Sequence, residues 1–194
     1  DSSGIPSEKI KGIGIGISGL IDYKNGVSLF CPNLPGWENV PVKSLIEKEI
    51  GLPTWVDDSS RTMALAENWC GVAKEVKNFI FVNVGIGIGC GIFTNGQIYR
   101  GAGGIAGEFG HITIDERGPR CNCGNNGCLE TLASGPAIAR RARKVIEEGV
   151  VSLIEKLTGG DLDRITPEII VEAAKKGDKL SLIHISEPTR LLSI

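Results

Sequence analysis

The chain has 194 residues, 41% of them hydrophobic and 23% charged, enough apolar material for one large domain or two small ones. A formal net charge of −2 gives no basic footprint for nucleic acid, and no apolar run is long enough to span a bilayer. The opening residues, DSSGIPSEKIKG, carry no cationic and apolar leader, so a cytoplasmic setting with reduced thiols is expected.

From Lys11, KGIGIGISGLID alternates glycine with Ile13, Ile15 and Ile17, a period of two that predicts a buried strand. Gly14, Gly16 and Gly19 also satisfy G-x-G-x-x-G, but no helix opens after them and no acidic ribose ligand follows, so a dinucleotide site is not expected. Cys31 to Pro41 reads as an exposed loop presenting Asn33 and Trp37, with Trp37 packing the loop. A helix follows from Val42 to about Ile50. PTWVDD is then a short strand ending in Asp57 and Asp58. SSRTMALAENWCGVA is a helix capped by Ser59 or Ser60, with Met63, Ala64, Ala66 and Trp69 available to the core. Two carboxylates above a helix N-terminus suit a general base, a ligand contact or simple capping.

Gly71 to Asn78 reads as a polar connection and Phe79 to Val84 as a buried strand. Glycines alternate at Gly85, Gly87, Gly89 and Gly91, and Thr94, Asn95, Gly96 and Gln97 signal a hairpin. Glu130 to Gly149 predicts a helix interrupted near Gly135 and Pro136, then resumed with a solvated basic face of Arg140, Arg141, Arg143 and Lys144. A further helix begins after Thr166, carries Pro167 in its first turn, runs to Lys176 and stops at Gly177. LSLIHISEPTRLLSI, from Leu180, breaks that pattern without capping or turn logic. Through Arg190 it resembles the in-frame translation of a transposase adaptor used in DNA library preparation, so 180–194 is expected to be a non-native tail in which His184 has no role.

The densest chemistry lies between Gly107 and Glu130, in GEFGHITIDERGPRCNCGNNGCLE. His111, Cys121, Cys123 and Cys128 offer one imidazole and three thiolates, the donor set that zinc takes in closed structural sites. Gly118, Pro119, Gly124, Asn125, Asn126 and Gly127 are turn formers that let a short chain bring four donors around one centre. The alternatives are a disulfide or three small hydrophobes, and a Cys-x-Cys pair is badly placed for a mutual bridge.

Gly-Glu-Phe-Gly-His followed by Cys-x-Cys-Gly-x-x-Gly-Cys-Leu-Glu resembles the signature of the ROK family, which groups bacterial sugar kinases with sugar-responsive repressors; the likeness spans about residues 10 to 179. It implies the two-lobed α/β fold of the actin-like (ribonuclease H-like) sugar-kinase superfamily, with a cleft between the Asp58 region and the zinc loop. Residues 1–77 would be a partial first lobe and 78–179 a partial second lobe carrying that loop. The resemblance further implies zinc on His111, Cys121, Cys123 and Cys128, and sugar contacts from Glu108, His111 and Glu130. An imidazole that gives one nitrogen to a metal is held rigidly to donate from the other. Asn33 would be a sugar ligand, with an Asn-turn as its alternative. Asp58 falls at the position of the general base, and Asp57 stands where many members have Asn. Gly85, Gly87 and Gly89 would form a phosphate loop.

Kinases of the family usually have Gly-Thr-Gly where this chain has Gly85, Ile86 and Gly87, and isoleucine offers a phosphoryl group no donor. The first expectation is therefore the sugar-sensing core of a transcriptional regulator. The second is a hexose kinase using ATP and magnesium, and the third a zinc-stabilised interaction domain without ligand. The expected ligand is a hexose or a derivative, with no membrane and a homo-oligomer in the full-length parent. The family's Asp-x-Gly-Gly-Thr loop and its repressors' helix-turn-helix would precede Lys11, so an internal fragment is expected, reaching DNA only through a domain it lacks.

Overall fold

The computed structural model describes residues 4–186. These fall into two compact units, Asp1–Val82 with Gly89–Glu108 and Asn83–Ile88 with Phe109–Ile194. Residue 77, where the first lobe was expected to end, lies inside the first unit; the chain stays there through Val82, and the Phe79 ring stacks on Phe93 at 4.9 Å.

The first unit begins with β1 (Ile13–Ile17), whose isoleucines are half-buried rather than buried. An antiparallel meander follows: β2 (Leu20–Asp22), β3 (Val27–Phe30) and β4 (Glu38–Val40). The β2–β3 turn was not foreseen, although Asn25-Gly26 marks it, with Gly26 at φ 67° and the Asp22 carboxylate accepting from the Lys24 and Asn25 amides. Nor was β4, which ends the expected loop early by pairing Val40 with Ser28. Helix α1 (Val42–Ile50) leads into β5 (Thr54–Asp58), which lies parallel to β1 with Ile17 opposite Asp58. Parallel neighbours need a crossover, and the meander with α1 supplies it. Ile21, Val42 and Val56 form the buried centre, with Ile15, Ile17, Trp37, Val40 and Ile46 packed around it.

Helix α2 (Ser59–Cys70) is capped by Asp58, whose Oδ1 accepts from the Ser60 and Arg61 amides; neither serine is the cap. Its inward face is Ser60, Arg61 and Ala64. Of the four residues expected to face the core only Ala64 does, and Trp69 is 68% exposed. β6 (Phe79–Val84), β7 (Ile88–Thr94) and β8 (Gln97–Ile98) form a third sheet, with the expected Asn95-Gly96 turn at φ 52° and 78°. β6 is not the buried strand its composition suggested. Ile80, Val82 and Val84 are exposed, because among the described residues no layer covers that face.

The second unit is helical: α3 (Leu129–Ala133), α4 (Gly135–Glu147), α5 (Leu153–Thr158), α6 (Pro167–Lys175) and α7 (Lys179–Ser186). The predicted interruption is Ser134, extended at φ −72°, ψ 166°, with Pro136 in the first turn of α4. Ala142, Ile146, Ile154, Ile165, Ile170, Ala173 and Leu180 make its core. Helix α5, unforeseen, starts with a Ser152–Glu155 capping box. Among the described residues no helix is long and apolar enough to cross a membrane.

Helix α7 is formed largely by residues expected to be a foreign tail. Leu180 and Ser181 are buried, and the missing cap is Asp178, which accepts from the Ser181 amide and hydroxyl, the Leu153 amide and the Ser152 hydroxyl. The rest of the expected tail, 187–194, and the His184 side chain lie outside the described residues. Burial pushes the Asp178 carboxyl up, but these donors outweigh it and its pKa is lowered. A depressed carboxylate contributes stability above its unfolded value of about 3.9 and loses it as pH falls through the folded value. Asp178→Asn is expected to cost roughly 1–3 kcal/mol at neutral pH and to flatten the acid limb of stability against pH, both read by denaturant titration.

Candidate functional site

The loop from His111 to Cys128 is built by short backbone bridges. The Cys121 amide donates to the Asn125 carbonyl, the Gly124 amide to the Cys121 carbonyl and the Gly127 amide to the Pro119 carbonyl. Thr113 pairs with Cys128 and Arg120 with Asn126 across it. Gly127 sits at φ 60° against the Asp115 carbonyl, where no Cβ would fit. The result places the donor atoms of His111, Cys121, Cys123 and Cys128 within 4.8 Å of one another.

Those separations test the ion. Bonds of about 2.3 Å to sulfur and about 2.0–2.1 Å to nitrogen at tetrahedral angles put two sulfurs about 3.8 Å apart and sulfur from nitrogen about 3.6 Å. Cys123 and Cys128 Sγ are 3.7 Å apart, and Cys121 Sγ lies 3.6 Å from His111 Nδ1. A disulfide would need about 2.05 Å, and all three cysteines are free thiols. The residues fit zinc, and His111 Nδ1 is the ring nitrogen placed at bonding separation from the Cys121 sulfur.

Burial pushes the Cys121 and Cys128 thiols up. At Cys123 burial also raises the pKa, but the Asn125 amide and the neighbouring thiols donate to its sulfur and bring it down. Uptake of a metal therefore expels protons from the cluster.

Glu130, in the first turn of α3, stands against this cluster. Its Oε1 lies 3.1 Å from Cys121 Sγ and 3.7 Å from His111 Nδ1, and its Oε2 accepts a long hydrogen bond of 3.4 Å from the Ile88 amide. Ile88 ends the glycine bend between β6 and β7. There the Gly85 amide donates to the Gly87 carbonyl, and the Gly135 amide holds the Gly85 carbonyl at 2.9 Å. Ile86, between the two glycines, is 78% exposed. Gly89 is not in the bend but in β7, where its missing Cβ lets the strand approach Ser60 of α2.

In the first unit the structure separates the two aspartates. Asp58 caps α2, and burial raises its pKa against the opposing amides of Arg61 and Ser60. Asp57 is buried, and protein donors take both its oxygens. Oδ1 accepts from the Asp58 amide and from Arg61 Nη1 at 2.9 Å; Oδ2 accepts from Arg100 Nε and Nη2 at 3.2 and 2.7 Å. Both Asp57 oxygens, the notional sugar acceptors, are thus engaged by protein donors, the Asp58 amide among them. Arg61 is 1% exposed, and the Arg100 guanidinium lies 4.4 Å over the Tyr23 ring. Arg61 was not singled out from the sequence, although its place four residues after Asp57 is a local signal. Asn33 and Glu108 are exposed, and Trp37 does pack its loop, donating to Ser28 Oγ at 2.9 Å.

The chain is a mixed α/β protein with a glycine bend and a clustered histidine and three cysteines, and its fold is that of the ROK sugar kinases. The chain belongs to the ROK family, whose model matches residues 5–193. It is 39% identical over 185 residues to the xylose repressor of Caldicellulosiruptor bescii, covering 95% of this chain and 46% of the repressor. It is 36% identical over 171 residues to the glucokinase of Thermotoga maritima, covering 88% and 54%. Among solved structures, a ROK family glucokinase from Streptomyces griseus in complex with glucose and AMPPNP superposes with a TM-score of 0.83 at 34% identity, over 90% of this chain and 56% of that one. Repressors and glucokinases match at similar identity, and the chain spans about half the length of these relatives.

Proposed function

We propose that this chain is the sugar-binding core of a ROK-family transcriptional regulator. The observation that carries the reading is Ile86. An exposed apolar side chain stands in the glycine bend where the family's kinases place a phosphate-holding threonine, and it offers no donor to charge developing on a phosphoryl group. The xylose repressor, matched over nearly the whole chain, supports the same reading.

The ligand in this reading is a hexose or a derivative. Asn33, Asp58, Glu108, His111 and Glu130 meet its hydroxyls, with Asp57 anchoring Asp58. Carboxylates accept from paired hydroxyls, and a site built to pair them rejects analogues lacking one. With Nδ1 given to the metal, the His111 ring would be held so that Nε2 meets the sugar. The full-length protein is a cytoplasmic homo-oligomer that reaches DNA through a domain outside this chain.

A kinase reading is favoured by one feature: burial raises the Asp58 pKa, as suits a general base accepting a hydroxyl proton while ATP would supply the phosphoryl group and magnesium would neutralise its charge. The full-length protein separates the two. Calorimetric titration with aldohexoses is expected to show binding that Glu108→Ala and His111→Ala weaken at least about tenfold, each lost charge-assisted hydrogen bond being worth roughly 1.5–3 kcal/mol, while Glu49→Ala leaves it unchanged. Sugar is expected to shift operator affinity, with no sugar-dependent ADP release. ADP release at an ordinary enzymatic rate, abolished by Asp58→Asn, would replace the regulator with a kinase.

A further inference from the structure

We infer that Glu130 couples the metal centre to the glycine bend, so that metal affinity and the conformation of residues 85–88 are linked through one side chain. The inference rests on the metal reading of the cluster and is independent of the sugar reading.

The two ends of this carboxylate face different structures. Oε1 is 3.1 Å from Cys121 Sγ and 3.7 Å from His111 Nδ1, so it borders two of the four donor atoms. Oε2 holds the Ile88 amide, 42 residues earlier in the chain. A second link runs in parallel through the backbone: Gly110, the neighbour of His111, packs so closely on the Ile88 carbonyl that a Cβ there would overlap it. The bend is held on its other side by Gly135, whose amide binds the Gly85 carbonyl. Residues next to a metal's ligands orient them and set affinity, and an orienting residue that also grips a loop transmits each state to the other. Thermodynamic linkage makes the effect reciprocal: whatever displaces the bend changes metal affinity by the factor by which metal changes the bend.

Gly87 supplies an unusual probe of this link. A Cβ built on it would lie 2.7 Å from Glu130 Oε2, with the Glu130 carboxyl carbon its only other close neighbour, and its backbone is not in the left-handed region. Gly87→Ala therefore keeps the local backbone and pushes on Glu130 alone. Gly14→Ala, where the added methyl meets nothing within 4 Å, is the matched control.

The test uses the zinc-loaded full chain. Release of zinc to a colorimetric chelator is expected to be about tenfold faster in Gly87→Ala and in Glu130→Gln than in wild type, and unchanged in Gly14→Ala. Amide hydrogen exchange across residues 85–88 is expected to rise about tenfold when zinc is withdrawn, and also in zinc-loaded Glu130→Gln, while residues 142–146 of α4 keep their protection. Wild-type release rates in either variant, or unchanged exchange at 85–88 in zinc-loaded Glu130→Gln, would overturn the coupling. Should Gly87→Ala fail to fold, Glu130→Gln decides alone. A wild-type chain that takes up no zinc overturns the metal reading and the coupling together, whereas zinc uptake with wild-type release rates removes the coupling only.

Discussion

Replacing Cys123 with serine is expected to strip most of the zinc from the purified chain and to lower its melting temperature by roughly 10–15 °C. Structural zinc contributes about 10–16 kcal/mol of binding energy in small domains that have no other core, and that energy is coupled to folding. Here the cost is a fraction of that, because α4 to α7 keep their own apolar centre around Ile154 and Ile170. A loss of about 4 kcal/mol moves the transition of a chain this long by about 8–16 °C. Metal content by elemental analysis and the melt by circular dichroism check the two halves. A serine variant that keeps its metal and its melting temperature would exclude the centre. Withdrawing metal from the wild type should reproduce the variant's melt, since both remove the same crosslink between His111 and the cysteine turn.

Asp57→Ala is expected to destabilise the chain by about 3–5 kcal/mol, the cost of leaving a buried charge without its partner. Arg61 is 1% exposed, and its Nε already lacks a hydrogen-bond partner, so Nη1 on Asp57 is what compensates the guanidinium. Arg100 loses two donors' worth of partner in the same step but keeps its stacking over Tyr23 and its partial access to water. Asp57→Asn should cost less, because an amide oxygen still serves one arginine. The measurement is the urea midpoint at unchanged slope. A cost for Asp57→Ala below about 1 kcal/mol would mean that water reaches Arg61, and that Asp57 does not hold the end of β5.

The parts legible in the sequence are those whose cause is local. Ligand spacing and turn formers define the metal loop within one short stretch, and the structure brings those four residues together. β1, α1, β5, the Asn95-Gly96 turn, the break at Ser134 and the Thr166 cap of α6 likewise follow from period, turn chemistry or capping within a few residues. Tertiary partners decided the rest. The inward face of α2 is set by Arg61 reaching Asp57, which overrides the apolar appeal of Met63 and Trp69. β4 exists because Ser28 lies opposite Val40, and α7 is seated by Asp178 joining it to the start of α5. Sequence alone therefore determined which residues could bind a metal and how each short segment prefers to bend. The structure decided which side of each segment is buried and which carboxylate is spent on the protein itself. Apart from the Arg61–Asp57 pair, four residues apart, those outcomes depend on charges and amides brought together from distant positions, and no local pattern encodes their arrival.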